Sequence, residues 1–402
     1  MSSATTYSPH QLSQNLDAAR PAVLEMARYI HANPELSFEE VKAAAAITSL
    51  LEQHGFVVER GTGGLDTAFS ATIGSGELVV AICVEYDCLP EVGHACGHNL
   101  IAGSTVGAAL ALAPMVDELG ITLKAIGTPA EEHGGGKALL LDAGAFDGVG
   151  LSLMAHPGPD GRTSNPAGTT SQAVGRFRAT FAGQAAHAAA MPHRGINAAD
   201  GAVLSQVAVG LLRQQLPDSN RVALFVREAG VATNIIPDRA VVDFECRALT
   251  LPDYESLLSR VRACFEGAAL ATGTKLVIED IEPLYEPLVQ NLELSAHWAD
   301  AFGSRGYDVS PASFIAGGGS TDMGNISQVI PSIHPMFPIP GSTEAMHSAA
   351  FTAVADTPVA YEAMFDAAYG LASTVAAAAV TPDERARFIG SAYHPATAEV
   401  SA

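Results

Sequence analysis

A short segment, VEYDCLPEVGHACGHNL (residues 84–100), concentrates side chains that can do chemistry. Cys96 lies between His94 and His98, a few residues after three acidic side chains. Thiolate, imidazole and carboxylate groups are the usual ligands of Zn²⁺. A cysteine near a histidine can also act as a nucleophile, and a tight loop needs neither role. Because two ligands do not hold an ion, this segment alone leaves all three interpretations open.

Further candidate ligands occur later in the chain. Glu131 and Glu132 stand in GTPAEEHGGG, His156 in MAHPGP and His347 in MHSAAF. Adjacent carboxylates repel each other, so the glutamate pair is costly unless cations or protons separate their roles. One glutamate can bind a metal ion while its neighbour takes a proton from an activated water. Together with Cys96, the set favours zinc, and its imidazole and carboxylate members also suit manganese or cobalt.

Each of these motifs follows a predicted strand. Apolar runs predict strands at 77–85, 121–128 and 150–156, with helical periodicity between them. Strands that alternate with helices predict an α/β fold with a mostly parallel sheet flanked by helices. In such sheets the functional groups gather at the carboxyl ends of the strands. The sequence therefore predicts one site at this edge.

The region 173–288 has a different pattern. It reads strand, helix, strand, strand, helix, strand, which is the order of an α+β ferredoxin-like unit. We therefore expect a discontinuous main domain formed by 1–172 and 289–402, with the unit 173–288 inserted between its halves as a lid. A chain of 402 residues exceeds the usual size of one core, which also favours two domains.

Composition narrows the classes of partner. Acidic residues outnumber basic residues by 43 to 21, and the formal net charge is -22. Such a charge repels phosphate backbones and anionic lipids, so we expect neither a nucleic acid nor a membrane partner. The apolar run IAGSTVGAALALAPM is expected to be too short to span a bilayer and to form a buried helix. The start lacks the pattern of a secretory signal, and five cysteines without a disulfide framework favour the cytoplasm.

Seven ordered motifs resemble the aminoacylase and carboxypeptidase-type family of dinuclear metallopeptidases. Within it the chain is most similar to the branch of indole-acetyl-amino-acid hydrolases, hippurate hydrolases and aminobenzoyl-glutamate hydrolases. The resemblance covers about 30–370 and rests on EYDCLPEVGHACGHN, GTPAEEHGGG, MAHPGP, AAHAAAMPHRGINAAD, TNIIPDRA, GGGSTDMGN and MHSAAF. It implies a two-metal catalytic domain with an inserted lid, and a homodimer.

The resemblance also implies roles for the metal ligands. Cys96 matches the ligand that bridges both ions. His98 and Glu132 would complete one ion, and His156 and His347 the other.

Other positions match the family's catalytic and substrate-binding residues. Glu131 matches the general base that activates the water and later protonates the departing amine. His187 matches a lid histidine that reaches the partner subunit's site and steadies the oxyanion. Asn234 and Arg247 match lid positions that hold the substrate's carboxylate, a task that suits the fork of an arginine.

Some positions depart from the family pattern. Many relatives place a metal-binding histidine where Glu85 stands, and His98 looks like its replacement. Asp87 is then expected to orient a ligand rather than bind metal. Asn99 and Asp322 resemble the aminobenzoyl-glutamate group, and Asp322 would have a supporting or structural role.

The resemblance implies a metal-dependent amidohydrolase that cleaves an acyl or aryl-acyl group from an amino acid. The alternative within the same chemistry is a dipeptidase for small dipeptides. A catalytically dead binding subunit would lack a ligand or the base, and the sequence lacks none of them. A cysteine hydrolase would leave the glutamate pair and His347 unexplained.

Overall fold

The structure, a computed structural model, describes residues 7–312 and 319–390. These residues divide into two compact units. The first unit contains 7–170, 288–312 and 321–390, and the second contains 171–287 with 319–320. Gly317 and Gly318 of the GGGSTDMGN motif lie outside the described residues.

Helices and strands alternate along the described residues of both units. The strands are β1 (Val57–Arg60), β2 (Phe69–Ile73), β3 (Leu78–Val84), β4 (Ile121–Gly127), β5 (Leu151–Leu153), β6 (His156–Pro159), β7 (Ala173–Ala182), β8 (Arg221–Glu228), β9 (Arg239–Ala248), β10 (Lys275–Asp280), β11 (Ser332–Ile333) and β12 (Met336–Ile339). The α-helices are α1 (Pro9–Ala32), α2 (Val41–Gln53), α3 (His98–Leu112), α4 (Val116–Leu119), α5 (Gly136–Asp142), α6 (Ala198–Leu212), α7 (Leu251–Thr272), α8 (Leu292–Gly303), α9 (Met323–Val329), α10 (Ala349–Val354), α11 (Pro358–Val380) and α12 (Pro382–Gly390).

A six-stranded sheet forms the centre of the first unit, in the order β1-β2-β4-β3-β5-β11. The four strands from β4 to β11 run parallel, and β1 and β2 extend the sheet antiparallel at one edge. The predicted fold class is confirmed. The predicted strand 150–156 is broken, because β5 pairs with β3 and β11 whereas β6 begins at His156 and pairs with β12.

Two apolar helices pack at the heart of this unit. Every residue of α3 is buried, and α3 packs against α1 and α11. Gly103 permits this packing, since a Cβ there would lie 2.1 Å from Met364 Sδ. The helical stretches His98–Leu119 and Pro358–Val380 are long and apolar enough to cross a membrane by length and composition, and the run IAGSTVGAALALAPM lies within the first of them as the buried helix that the sequence predicts. Their apolar windows are 94% and 78% buried inside the protein, as in core helices.

The second unit has the predicted strand and helix order. Its four strands are antiparallel in the order β10-β7-β9-β8. Helices α6 and α7 pack on the sheet, and the stacked rings of Phe177, Phe244 and Phe265 lie in the core. This is the ferredoxin-like arrangement that the sequence predicts for the inserted domain.

Candidate metal centre

The structure brings all of the predicted ligand side chains of the first unit together. They come from the loops after β3 and β4, from the start of α3 and β6, and from the loop before α10. Three groups have potential ligand atoms within 4.8 Å of one another: Cys96, His98 and His156; Cys96, Glu132 and His347; and Glu85, His98 and Glu131. Cys96 belongs to two of the groups, as a bridging ligand would.

His98 lies at the centre of this cluster. Its Nε2 atom is 3.7 Å from Glu85 Oε2, 3.8 Å from Glu131 Oε2 and 3.7 Å from Glu132 Oε1. These separations are too long for hydrogen bonds. Ligand atoms that share one ion at about 2.0–2.2 Å lie roughly 3–4 Å apart. The spacing is therefore that of ligands around a cation.

Unsatisfied polar atoms give an independent test of whether a metal fits. Glu85 Oε2, His98 Nε2 and Glu132 Oε1 are buried and have no hydrogen-bond partner among the residues that the structure describes. Buried polar atoms in proteins are nearly always paired, so three that converge on one space need a common partner. The imidazole, carboxylate and thiol set fits a divalent metal ion.

Asp87 fixes the orientation of His98. His98 Nδ1 lies 3.0 Å from Asp87 Oδ1, while Asp87 Oδ2 accepts hydrogen bonds from Ser37 Oγ and the Glu132 amide. Burial opposes the charge on Asp87, but His98 and these donors outweigh it and lower its pKa to about 2. An ionised carboxylate accepts only, so Nδ1 of His98 carries a proton and donates it to Asp87. When neutral, His98 therefore presents the lone pair of Nε2 to the cluster.

The other two histidines approach Cys96 differently. His156 Nδ1 donates to the Pro157 carbonyl at 2.7 Å, which leaves Nε2 as the acceptor. Burial and the neighbouring His98 lower the pKa of His156 to about 4, so it is a neutral imidazole. His347 Nε2 lies 3.2 Å from Cys96 Sγ and 3.9 Å from Glu132 Oε2. Its backbone has a φ of 65°, and its side chain is 59% exposed at the mouth of the site.

Burial sets the protonation of Cys96 and Glu131. It raises the pKa of the Cys96 thiol well above its usual range, and carboxylates nearby add to the effect. A thiol that is not ionised is a poor nucleophile, so the nucleophile interpretation loses support, whereas bound cations would stabilise the thiolate. Burial, Glu85 and Glu132 raise the pKa of Glu131 well above its ordinary value. Glu131 therefore has a greater affinity for a proton than an ordinary carboxylate, which suits a group that must accept and later release one.

The turn after β4 places the glutamate pair. Ala130 has a φ of 61°, and its N–H donates to the buried Glu40 Oε1 at 2.9 Å. The backbone at Gly136 then lies directly against the backbone at Pro129. A Cβ at Gly136 would be only 1.8 Å from the Pro129 carbonyl oxygen. The glycine run is thus a tight turn that presents Glu131 and Glu132 to the cluster.

The remaining predicted site residues belong to the second unit. His187 is exposed, and its Nδ1 accepts from the N–H groups of Ala189 and Ala190. Neutral His187 therefore carries its proton on Nε2, which is free to donate. Asn234 is also exposed, and its backbone carbonyl accepts a hydrogen bond from the N–H of Ala188, the residue after His187. The Arg247 guanidinium bonds both oxygens of Glu245 and the Ser320 hydroxyl.

Three buried residues near the cluster were not predicted as members of it. Glu85 is fully buried and bonds the equally buried Lys137. The His334 ring lies 5.8 Å from the His156 ring, edge to face. The glutamate was set aside because His98 took the place of the expected histidine. The lysine in HGGGKALL and the histidine in PSIHP had no spacing that marked them.

Comparisons with known proteins agree with the fold. The model of the peptidase dimerisation domain matches residues 169–272. The chain is 35% identical over 379 residues to the Xaa-Arg dipeptidase of Mus musculus, over 90% of this chain and 86% of that protein. It is 33% identical over 280 residues to one of the subunits of the p-aminobenzoyl-glutamate hydrolase of Escherichia coli, over 64% of this chain and 57% of that protein.

A solved Bacillus subtilis structure, described as a dinuclear metal binding peptidase from the M20 family, shares the fold. Its TM-score is 0.68 at 25% identity, over 91% of this chain and 99% of that one. Fold and site together define a dinuclear, divalent-metal-dependent hydrolase of amide C–N bonds. The chain belongs to the M20 peptidase family, and the family resemblance seen in the sequence is confirmed.

Proposed function

We propose that this enzyme hydrolyses the amide bond between an acyl or aryl-acyl group and a free amino acid. The convergence of Cys96, His98, Glu132, His156 and His347 around Glu131 is the observation that carries the proposal. The activity named for the Escherichia coli relative, p-aminobenzoyl-glutamate hydrolysis, is of this kind.

The side chains of this site divide the work of amide hydrolysis. The five ligands would hold divalent ions, which would supply the Lewis acidity that lowers the pKa of a water and polarises the amide carbonyl. Glu131 accepts the proton of the attacking water. Its raised pKa lets it keep that proton until the C–N bond breaks and then deliver it to the departing amine nitrogen.

Lid residues complete the proposed machinery. His187 donates from Nε2–H to the oxygen that becomes negative during attack. Asn234, next to it, binds the carboxylate of the released amino acid. Arg247 assists by charge, although Glu245 holds its fork in the present arrangement.

We propose Zn²⁺ or Mn²⁺ as the native ions, with Co²⁺ as a substitute. The thiolate of Cys96 suits Zn²⁺, and the carboxylates around His98 suit Mn²⁺. The five cysteines form no disulfide in the structure, which supports a reducing cytoplasm.

A homodimer is the proposed assembly. The second unit leaves an apolar face on α6, formed by Val203, Leu204, Val207 and Leu211. β8 is an edge strand of the four-stranded sheet, and Phe225 projects from it with 54% exposure. An exposed apolar face beside an open strand edge suits pairing with a second copy of the unit.

Dipeptide cleavage is the second candidate function. The identity of 35% to the Mus musculus Xaa-Arg dipeptidase, over most of both chains, favours it. Both candidates use the same centre and differ only in the group on the acyl side of the scissile bond.

One assay separates the candidates. Metal-loaded protein is offered N-acetyl, benzoyl, indole-acetyl and aminobenzoyl amino acids beside plain dipeptides, including dipeptides that end in arginine. Released amine is quantified and identified by mass spectrometry. Cleavage of the acyl and aryl conjugates supports the proposal, and cleavage of dipeptides alone overturns it in favour of the second candidate.

A further inference from the structure

A cluster of three buried charges adjoins the metal centre. Lys137, Glu85 and Asp322 are each 0% exposed. Lys137 Nζ donates to Glu85 Oε1 at 2.5 Å and to Asp322 Oδ1 at 2.6 Å. Two carboxylates share one ammonium, so the cluster retains a net negative charge. A buried ion pair costs desolvation and stabilises only when its geometry is good, so this cluster needs a further explanation.

Asp322 holds the lysine from two directions. Its Oδ2 accepts from the Lys137 backbone N–H at 2.8 Å, while Oδ1 accepts from the ammonium of the same residue. Lys137 is the second residue of α5, and Asp322 directly precedes α9. The ammonium is therefore fixed between two helix starts. Only one oxygen of Glu85 is engaged by this clamp.

The second oxygen of Glu85 points to the metal centre. Glu85 Oε2 has no hydrogen-bond partner among the described residues, and it lies 3.7 Å from His98 Nε2. Glu85, His98 and Glu131 offer ligand atoms within 4.8 Å of one another. The Lys137 ammonium on Oε1 compensates the charge of the Glu85 carboxylate, which leaves Oε2 as an anionic oxygen facing the cluster.

We propose that Glu85 is an additional ligand of the ion at His98, and that Lys137 and Asp322 are positioning residues that hold its carboxylate toward that ion. With Glu85, the metal-binding position at His98 has one more anionic oxygen beside the neighbouring glutamates. Its ligand set is then chemically harder than a set rich in thiolate. Hard oxygen ligands suit Mn²⁺ better than Zn²⁺. Glu85 thus biases the position at His98 toward manganese. The inference rests on the proposed metal dependence and on no choice of substrate.

The variant Glu85→Gln tests whether Glu85 is a metal ligand or only the ion-pair partner of Lys137. The amide keeps the shape of the side chain and an oxygen for Lys137, but it removes the anionic ligand atom. Asp243→Asn is the matched control, because Asp243 is a buried carboxylate paired with Arg178 in the second unit. Circular dichroism and gel filtration establish that each variant folds.

Calorimetric titration of metal-free protein with Mn²⁺ and with Zn²⁺, combined with Mn²⁺ electron paramagnetic resonance, gives the answer. We expect Glu85→Gln to weaken Mn²⁺ binding at one site by about 10- to 100-fold, the range for groups that support metal sites. The Zn²⁺ affinity should fall less, the resonance spectrum should change, and Asp243→Asn should match the wild type. Wild-type affinities and an unchanged spectrum in Glu85→Gln would overturn the inference.

A second variant keeps the test decisive if Glu85→Gln does not fold. Asp322→Asn retains an acceptor for Lys137 but loosens its clamp, so Mn²⁺ affinity should fall by a few-fold and the Co²⁺ visible spectrum should shift. An unchanged spectrum with unchanged affinity would overturn the positioning role. These measurements use no substrate, so a failed substrate assay and a failed ligand test are distinguishable.

Discussion

Glu131 and Glu132 are neighbours in the chain but face different tasks. Glu132 has a buried oxygen without a hydrogen-bond partner among the described residues, and its N–H is bonded to Asp87. The pKa of Glu131 is raised by burial and by the charges of Glu85 and Glu132. The first carboxylate is therefore suited to proton transfer and the second to holding an ion.

Replacement of each glutamate by glutamine should separate these tasks. Glu131→Gln should retain the metal content of the wild type and lower kcat by about 10²- to 10⁴-fold, because it removes the proton acceptor. Glu132→Gln should lose both metal and activity. Metal analysis of the purified variants and steady-state kinetics measure the two effects. Wild-type kcat in Glu131→Gln would exclude it as the base.

The sequence predicted this chemistry from residue types, but it did not predict every neighbour. Cys96 and His98 are two residues apart in the chain, so their proximity is evident from the sequence. The contact of Lys137 with Asp322 joins positions 185 residues apart. Its only sequence signal is a lone lysine after a glycine run. Spacing along the chain cannot reveal such a pair, because two separate helix starts bring it together.

At the scale of the elements, one buried carboxylate, that of Glu40, connects the start of α2 to the loop after β4. Glu40 precedes Val41, the first residue of α2, and its Oε2 accepts from Thr67 Oγ. Its Oε1 accepts from the N–H of Ala130, immediately before the glutamate pair. Burial raises the pKa of Glu40 to about 7, and the charge of Asp87 adds to this in spite of the Thr67 hydrogen bond.

The stability of the fold should therefore depend on the ionisation of Glu40. The pKa of Glu40 in the folded protein lies above the ordinary value of 4.5. The stabilisation that protonated Glu40 adds to the free energy of unfolding is therefore fully present below pH 4.5 and is lost as the pH rises through 7. The full loss is on the order of 3 kcal/mol. In Glu40→Gln this loss is absent, so the variant should gain stability relative to the wild type from pH 5 to pH 8.

Urea unfolding of the metal-free proteins at pH 5, 6, 7 and 8 measures this difference. Glu52→Gln is the control on the same helix, since Glu52 is exposed and its Arg60 partner lowers its pKa. Its difference from the wild type should be constant over this range. A constant difference for Glu40→Gln as well would contradict the ionisation of a buried Glu40.

Prediction of the elements succeeded where one face or both are buried. β3 is a continuous apolar strand, β4 buries one face along its whole length, and the order of elements in the second unit follows its alternating patterns. β1 and β2 were missed because β1 is a short and largely exposed edge strand, which carries a weak pattern. The break between β5 and β6 was missed because a change of strand partner leaves no mark in hydrophobicity.

At the scale of the whole molecule, the apolar face of α6 is the proposed dimer contact. Val207→Glu with Leu211→Glu places two charges on that face, so the double variant should be monomeric at micromolar concentration. Sedimentation or light scattering gives the mass. Leu270→Glu is the control, because Leu270 is an apolar residue on α7 that is even more exposed than Val207 and Leu211. A double variant with the wild-type mass would contradict this contact.

Mixing inactive subunits tests whether His187 serves the partner's site. His187→Ala and Glu131→Gln are each expected to be nearly inactive as homodimers. If His187 acts across the interface, a mixed dimer contains one complete site, made from the Glu131 of one protomer and the His187 of the other. Activity should then return on mixing after reversible dissociation, toward half the wild-type rate per mixed dimer. Mixtures that stay inactive would place His187 in the site of its own protomer.

The separation of Cys96 and His347 along the chain has a consequence for the synthesis of the protein on the ribosome. These two side chains lie 3.2 Å apart in the folded structure but 251 residues apart in the sequence. At about 5–20 residues per second, a ribosome needs roughly 10–50 s to pass from one to the other. During that interval the nascent chain holds Cys96, His98, Glu132 and His156 without their last partner, while the whole inserted unit is being made. The five ligand side chains can therefore act together only after the segment that carries His347 has been made, which is after the whole inserted unit.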